Sequence, residues 1–262
     1  MTFNYTFPPE LLTRLRQARR VVALTGAGVS AESGVPTFRD AQTGLWARYR
    51  PEELATPEAF ARHPERVWAW YMWRRALVRR AAPNPAHYAL ACMERLVPAF
   101  TLVTQNVDGL HQQAGSRRII ELHGNLMRTV CAARRHRVER WEPVPEGEVP
   151  RCPECGSLLR PDVVWFGEAL PGEALDAAWQ AAQEAEVMLV VGTSGVVQPA
   201  ASLPLVAAEH GAYLAEINPQ ETALSRFMAV MLRGPAGEVL PALVRALWGK
   251  EACDTQAEGG EA

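Results

Sequence analysis

Val21-Val22-Ala23-Leu24-Thr25-Gly26-Ala27-Gly28-Val29-Ser30-Ala31 decides how the rest of the chain is read. Residues 21–24 are a short apolar run led by two β-branched residues, the pattern of a buried strand. The run enters a glycine turn that opens a helix. Gly26-x-Gly28-x-x-Ala31 is the dinucleotide fingerprint with alanine in the third place. Such glycines let the backbone approach a pyrophosphate, and a helix start offers free N–H groups and positive potential. Taken alone, the same letters also fit a plain strand-to-helix turn. The acidic residue usual about 20 positions on, for a ribose hydroxyl, is missing, which argues against an ordinary dehydrogenase.

Outward from that turn the chain alternates strand and helix patterns. Phe100–Val103, Ile119–Leu122, Val187–Val191 and Tyr213–Ile217 read as further strands. Thr56-Pro57, Pro64 and Asn84-Pro85 read as helix starts, with proline at the first helical position. Helices also follow Pro171 and Pro199. Alternation of this kind predicts an α/β fold, a Rossmann-like parallel sheet with helices on both faces. Residues 41–97 lack strand patterns and read as a helical module. Residues 124–162 are rich in Arg, Pro, Glu and Cys and read as a small zinc-ribbon-like insert. These two inserts make up the smaller domain. Residues 1–40, 98–123 and 163–250 then form the nucleotide domain, and 251–262 a disordered tail.

The composition excludes several classes. The chain has 262 residues, 48% hydrophobic and 21% charged, with a formal net charge of -2. It therefore shows no basic excess for nucleic acid or an anionic membrane surface. No apolar run approaches the ~20 residues of a membrane span, and no signal-peptide pattern opens the chain, so a cytoplasmic protein is expected. The five cysteines, an odd number, argue against a disulfide framework, and Cys152-Pro153-Glu154-Cys155 suggests a metal.

The residues after the turn sharpen the reading. Ser30-Ala31-Glu32-Ser33-Gly34-Val35-Pro36-Thr37-Phe38-Arg39-Asp40 is too punctuated for a long helix and reads as a loop over the reactive end of a dinucleotide. Together with Gly26-Ala27-Gly28 it resembles the sirtuin signature. Further sirtuin blocks follow in order: Thr104-Gln105-Asn106-Val107-Asp108-Gly109-Leu110-His111, His123-Gly124, Val163-Val164-Trp165-Phe166-Gly167-Glu168, Gly192-Thr193-Ser194 and Asn218-Pro219. The likeness runs from about residue 20 to 240. It implies an NAD-consuming protein-lysine deacylase, in which an acyl-lysine carbonyl oxygen attacks C1′ of the nicotinamide ribose. Nicotinamide then leaves, and a base deprotonates a ribose hydroxyl.

The resemblance assigns roles to residues. His123 is the expected base, an imidazole titrating near neutrality at the carboxyl edge of the sheet. Read without the motifs, it is an ordinary loop histidine. Asn106 and Asp108 are expected at the nicotinamide pocket and Gln105 at the ribose, although Asp108 also suits a helix cap. The remaining NAD contacts are expected from Gly26, Ala27, Gly28, Ser30, Ala31, Glu32, Pro36, Thr37, Phe38, Arg39, Gly192, Thr193, Ser194, Asn218, Pro219 and Ala236. Val164, Trp165, Phe166, Gly167, Val196 and Val197 would grip an acylated-lysine protein substrate as an added strand. His63, His87, His111 and His210 read as structural.

Two features refine the expectation. Tyr71 and Arg74 are three residues apart, hence on one helix face. A phenol and a guanidinium can hold a carboxylate. Sirtuins that remove succinyl, malonyl or glutaryl groups carry such a Tyr-x-x-Arg pair, so desuccinylation and demalonylation are expected beside deacetylation. Sirtuins usually hold structural zinc with two Cys-x-x-Cys pairs. Here the first pair reads Cys131-Ala132-Ala133-Arg134, leaving Cys131, Cys152 and Cys155, with His136 as the nearest fourth ligand. The alternative is a ribbon without metal, held by Trp141 and Leu158-Leu159. A monomer is expected by family analogy. The rival functions are a mono-ADP-ribosyltransferase on the same scaffold and a non-catalytic NAD sensor.

Overall fold

The computed structural model describes residues 5–36, 49–145 and 147–253. Six parallel strands form the main sheet: β1 (Arg20–Thr25), β2 (Ala99–Thr104), β3 (Ile119–Glu121), β6 (Val187–Val191), β7 (Tyr213–Ile217) and β8 (Val230–Leu232). The antiparallel pair β4 (Gly124–Cys131) and β5 (Leu159–Val163) makes a separate small sheet between β3 and β6 in the chain. The order in the main sheet is β3-β2-β1-β6-β7-β8. With the small sheet set aside, this is the doubly wound order of dinucleotide folds, whose direction reverses between its two central strands. Here the reversal lies between β1 and β6.

Side-chain alternation along β1 feeds two cores, as a strand buried on both faces requires. Val21 and Ala23 pack with α1 (Pro9–Gln17), α6 (Pro85–Leu96) and α10 (Ala236–Trp248). Val22 and Leu24 pack on the opposite face with α8 (Gly172–Glu184) and α9 (Leu203–Glu209). The remaining helices are short, α2 (Gly28–Ala31), α3 (Pro51–Leu54), α4 (Pro57–Arg62) and α7 (Leu110–Gln113), apart from the 17-residue α5 (Pro64–Arg80). Among the described residues of 49–97 there is no strand. A third core joins the small domain, with Phe60, Trp68, Trp70 and Tyr71 of α4 and α5 packed on Leu126, Cys131, Leu159 and Trp165.

The expected helix starts form as capping chemistry dictates. Thr56 Oγ1 accepts from the Ala59 N–H at 3.1 Å. Asn84 Oδ1 accepts from Ala86 N–H, while His87 Nδ1 accepts from the Asn84 N–H at 3.2 Å, so His87 completes a capping box.

One sequence expectation is corrected. Cys92 and Cys253 form a disulfide between α6 and the residues after α10. The odd cysteine total hid this pair because Cys131, Cys152 and Cys155 stay free as a separate cluster. Cys253 lies inside the expected disordered tail, and residues 254–262 lie outside the described residues.

Candidate active site

The reversal between β1 and β6 brings two glycine turns into contact. Gly26 N–H donates to Val191 O at 3.0 Å and Gly28 N–H to Gly192 O at 2.8 Å. A Cβ on Gly28 would lie 2.7 Å from Gly192 O, and Gly192 itself has φ 59° with Val29 N 2.5 Å from its own virtual Cβ. Neither position tolerates a side chain, so this crevice floor is bare backbone, as close approach of a pyrophosphate requires.

The loop after β2 reaches over that floor. Asn106 Nδ2 donates to Gly26 O at 3.0 Å and to Ser30 Oγ at 3.2 Å, and Ser30 Oγ donates to Asp108 Oδ2 at 2.7 Å. The second oxygen of Asp108 accepts from the Leu110 N–H at 2.9 Å. Asp108 thus holds the start of α7 and the polar network together, combining the two uses open to it in the sequence. Gln105 Nε2 donates to Thr193 Oγ1 and Asn218 Nδ2 to Thr193 O, both at 3.0 Å. Ser30, Gln105, Asn106, Asp108, Thr193 and Asn218 therefore converge on one crevice. Glu32 points elsewhere among its partners: its carboxylate accepts from the Gly237 N–H at 2.8 Å, at the start of α10 beside Ala236. Thr37, Phe38 and Arg39 lie outside the described residues.

His123 follows β3, and its Nδ1 lies 3.0 Å from Gln105 O. A carbonyl only accepts, so Nδ1 carries the proton and Nε2 keeps its lone pair. Burial pulls the imidazole below its ordinary 6.5, opposed by the bond to Gln105. The ring is therefore neutral at neutral pH with a free basic nitrogen, the state a general base needs. The His123 carbonyl meanwhile accepts from the Val164 N–H at 3.0 Å, so the residue ties the crevice to the segment after β5.

The sequence marks His87 and His111 as structural but not that they form a layer beneath this site. His87 Nε2 lies 3.4 Å from Ser30 Oγ, and its ring centroid is 4.8 Å from that of His111. His111 Nε2 lies 3.1 Å from Thr25 Oγ1. Burial lowers His87 to about 4 and His111 to about 3, so both are neutral. Asn84 Nδ2 donates to Val29 O and Ser33 Oγ, bracing the loop from α6. The helix start Asn84-Pro85 and the motif ending in His111 say nothing about what these side chains face.

The segment after β5 forms the far wall. Val164 and Gly167 sit in it beside Trp165 and Phe166. Phe166, Val196 and Val197 are exposed, unusual for large apolar groups clustered in two loops. Trp165 is buried, and its indole N–H donates to Tyr71 Oη at 2.9 Å. Burial pushes Tyr71 up to about 12, so it is a neutral phenol. One turn on, the half-buried Arg74 stacks 5.1 Å over Trp70. Arg74 is pulled down by burial and drawn up by Tyr71 and Asp108, which places the pair electrostatically beside the crevice.

In the small domain the thiols of Cys131, Cys152 and Cys155 lie within 4.8 Å of one another. Cys131 Sγ is 3.5 Å from Cys155 Sγ, and Cys152 Sγ is 3.4 Å from His136 Nε2. The Arg134 N–H points at Cys131 Sγ at 3.5 Å, so the first knuckle closes although its second cysteine is missing. His136 Nε2 also lies 3.4 Å from Glu154 Oε1. Three thiolates at this spacing suit tetrahedral zinc.

Comparison with known proteins agrees with this geometry. The profile of the Sir2 family matches residues 26–199. The chain belongs to the Sir2 family. A protein of Pyrococcus abyssi named an NAD-dependent protein deacylase is 52% identical over 240 residues, covering 90% of this chain and 96% of that protein. A solved Sir2 homologue in complex with NAD has a TM-score of 0.87 at 51% identity, covering 94% of this chain and 96% of that one. A Sir2 complex with a p53 peptide and NAD+ has a TM-score of 0.81 at 35% identity, covering 91% of this chain and 97% of that one.

Proposed function

We propose that this sirtuin is an NAD-dependent protein-lysine deacylase whose pocket favours acyl groups ending in a carboxylate. The observation that carries the catalytic part is His123, a buried neutral imidazole fixed through Nδ1, with Nε2 left to accept a proton. Supplied with NAD, the crevice between β1 and β6 takes the pyrophosphate on the Gly26–Gly28 turn. Asn106, Asp108 and Ser30 orient the nicotinamide end, and Gln105 meets the ribose. His123 Nε2 takes the proton of the ribose hydroxyl that attacks the acyl carbon. The substrate lysine arrives on an extended peptide between Val164–Gly167 and Val196–Val197, where exposed apolar side chains await cover. Such a strand pairs through its main chain and accepts many sequences.

The carboxylate preference rests on Tyr71 and Arg74. The Arg74 guanidinium, one helical turn from the Tyr71 phenol, supplies a charge for the free end of a succinyl or malonyl group. Arg74→Met should reduce succinyl-lysine turnover about 10- to 100-fold while sparing acetyl-lysine, the range of a lost charge-assisted hydrogen bond. Mass spectrometry of matched peptides with enzyme and NAD reads this directly. Equal losses on both would remove the carboxylate preference. ADP-ribose appearing on protein, with neither peptide deacylated, would point to a transferase.

Zinc would be structural, held by Cys131, Cys152, Cys155 and His136, closing the ribbon under the third core. It supplies no chemistry to the reaction.

A further inference from the structure

One residue of β7 is out of keeping with its burial. Leu214 faces the core under α8 and α9, and Ala215 and Ile217 face the opposite core. By alternation Glu216 shares the face of Leu214, where an apolar side chain is expected, and it is fully buried. A buried carboxylate persists only where partners replace the water it has lost. Glu216 has three. The hydroxyls of Thr222 and Ser225 donate to its two oxygens, and Arg233 Nη1 donates to Oε2 at 2.9 Å.

Those partners lie beyond the strand, and each is tied in turn. A hydroxyl has one proton, so Thr222 and Ser225 spend theirs on Glu216 and serve the loop only as acceptors. Thr222 Oγ1 accepts from the Leu224 N–H at 3.1 Å, and Ser225 Oγ accepts from the Thr222 N–H at 2.9 Å. Arg233 Nη1 also donates to Gln220 O at 2.8 Å, and the Gln220 N–H donates to Asn218 Oδ1 at 3.3 Å. The carboxylate thus gathers the loop 218–225 from its centre.

That loop stands at one end of the crevice. Asn106, Asp108 and His123 follow β2 and β3, on one side of the reversal, and Asn218 follows β7, on the other. A dinucleotide laid on the Gly26–Gly28 turn with its nicotinamide over β2 and β3 carries its adenosine over β6 and β7. There Asn218 Nδ2 donates to Thr193 O, and the Gly192 N–H donates to Ile217 O at 3.0 Å.

We propose that Glu216 is a positioning residue for NAD, which sets Asn218 and the turn at Gly192 and Thr193 for the adenosine half without touching the nucleotide. The inference rests on the dinucleotide reading above and goes one layer behind it. The peptide wall does not depend on it. Leu224 Cγ lies 2.5 Å from where a Cβ on Gly195 would stand, and Leu224 is held there by apolar packing under α8 and α9.

The test is Glu216→Gln, which keeps the shape but turns an amide N–H₂ toward groups that themselves donate. KM for NAD should rise about three- to tenfold, the range of one neutral hydrogen bond lost at the nucleotide. Calorimetry should show ADP-ribose affinity falling by the same factor. Inhibition by nicotinamide, KM for the acyl peptide and kcat at saturating NAD should not change. Thr222→Val, which removes one donor from the loop and leaves β7 intact, gives the same split if Glu216→Gln folds poorly. Either variant should add little to Asn218→Ala, because both act through Asn218. Unchanged ADP-ribose affinity, or equal losses for ADP-ribose, nicotinamide and peptide, would overturn the role of Glu216. If Asn218→Ala weakens ADP-ribose binding and the Glu216 and Thr222 variants do not, only this inference falls. If Asn218→Ala leaves ADP-ribose binding unchanged, the nucleotide reading of this end falls and takes the inference with it.

Discussion

Acid should unfold this protein through two histidines that never touch bulk water. His87 and His111 stand ring to ring beneath the crevice, neutral because burial holds them at about 4 and about 3. In the unfolded chain each returns to 6.5. Below 6.5 the unfolded state binds protons that the native state refuses, so stability is full above 6.5 and falls as pH drops toward 4. Each pH unit in that window costs about 1.4 kcal/mol per histidine. At pH 5, 1.5 units below the unfolded value, the two together cost about 4 kcal/mol, a large part of a typical domain's stability. Urea denaturation at pH 7.5 and 5.0 measures the difference. His111→Gln removes one titrating group and should recover about half of the loss. The reasoning fails if the wild-type unfolding free energy is the same at both pH values. It fails equally if His111→Gln keeps the full pH dependence.

Other outcomes follow from the same geometry. His123→Ala should abolish deacylation while calorimetry still shows NAD binding; undiminished turnover would take the base away from His123. In the wild type, kcat should fall as pH drops through a value below 6.5, because only neutral His123 can take a proton and burial lowers it. A kcat that rises as pH falls below 6.5 would exclude that role. Gly28→Ala places a Cβ 2.7 Å from Gly192 O, and the backbone shift should cost about 1–3 kcal/mol, seen as a lower melting temperature and weaker NAD binding. Unchanged NAD affinity would separate this turn from the nucleotide. Purified protein should hold about one zinc per chain, and Cys152→Ser or His136→Ala should release it more readily to a chelator. Metal-free native protein would mean that Trp141 and Leu159 hold the ribbon unaided.

The main sheet was legible because buried parallel strands are continuous apolar runs. Val187–Val191 and Tyr213–Ile217 carry the same limits in sequence and structure. The small sheet was not. β5 carries Pro161 in its middle, which ordinarily argues against a strand. β4 shifts register between Asn125 and Thr129, which spoils its alternation. β8, three residues long, is too short to show a period. Within the site, the glycines and the loop after β2 announce themselves through close spacing along the chain. Arg160 sits in an Arg-rich background with nothing local to mark it. His87 reaches Ser30 only through a contact spanning 57 residues. Pairings of that kind are made by packing, and no pattern along the chain encodes them.

The position of His123 has a consequence for how two substrates are brought into line. Its ring is moored to the loop after β2, and its carbonyl to Val164, the first residue after β5, the segments proposed to meet the dinucleotide and the peptide. The offset between a bound ribose and a bound acyl-lysine is then set by the bond lengths of a single amino acid. Here the rule is covalent, and a slip of the peptide by one strand register would be read at the base itself.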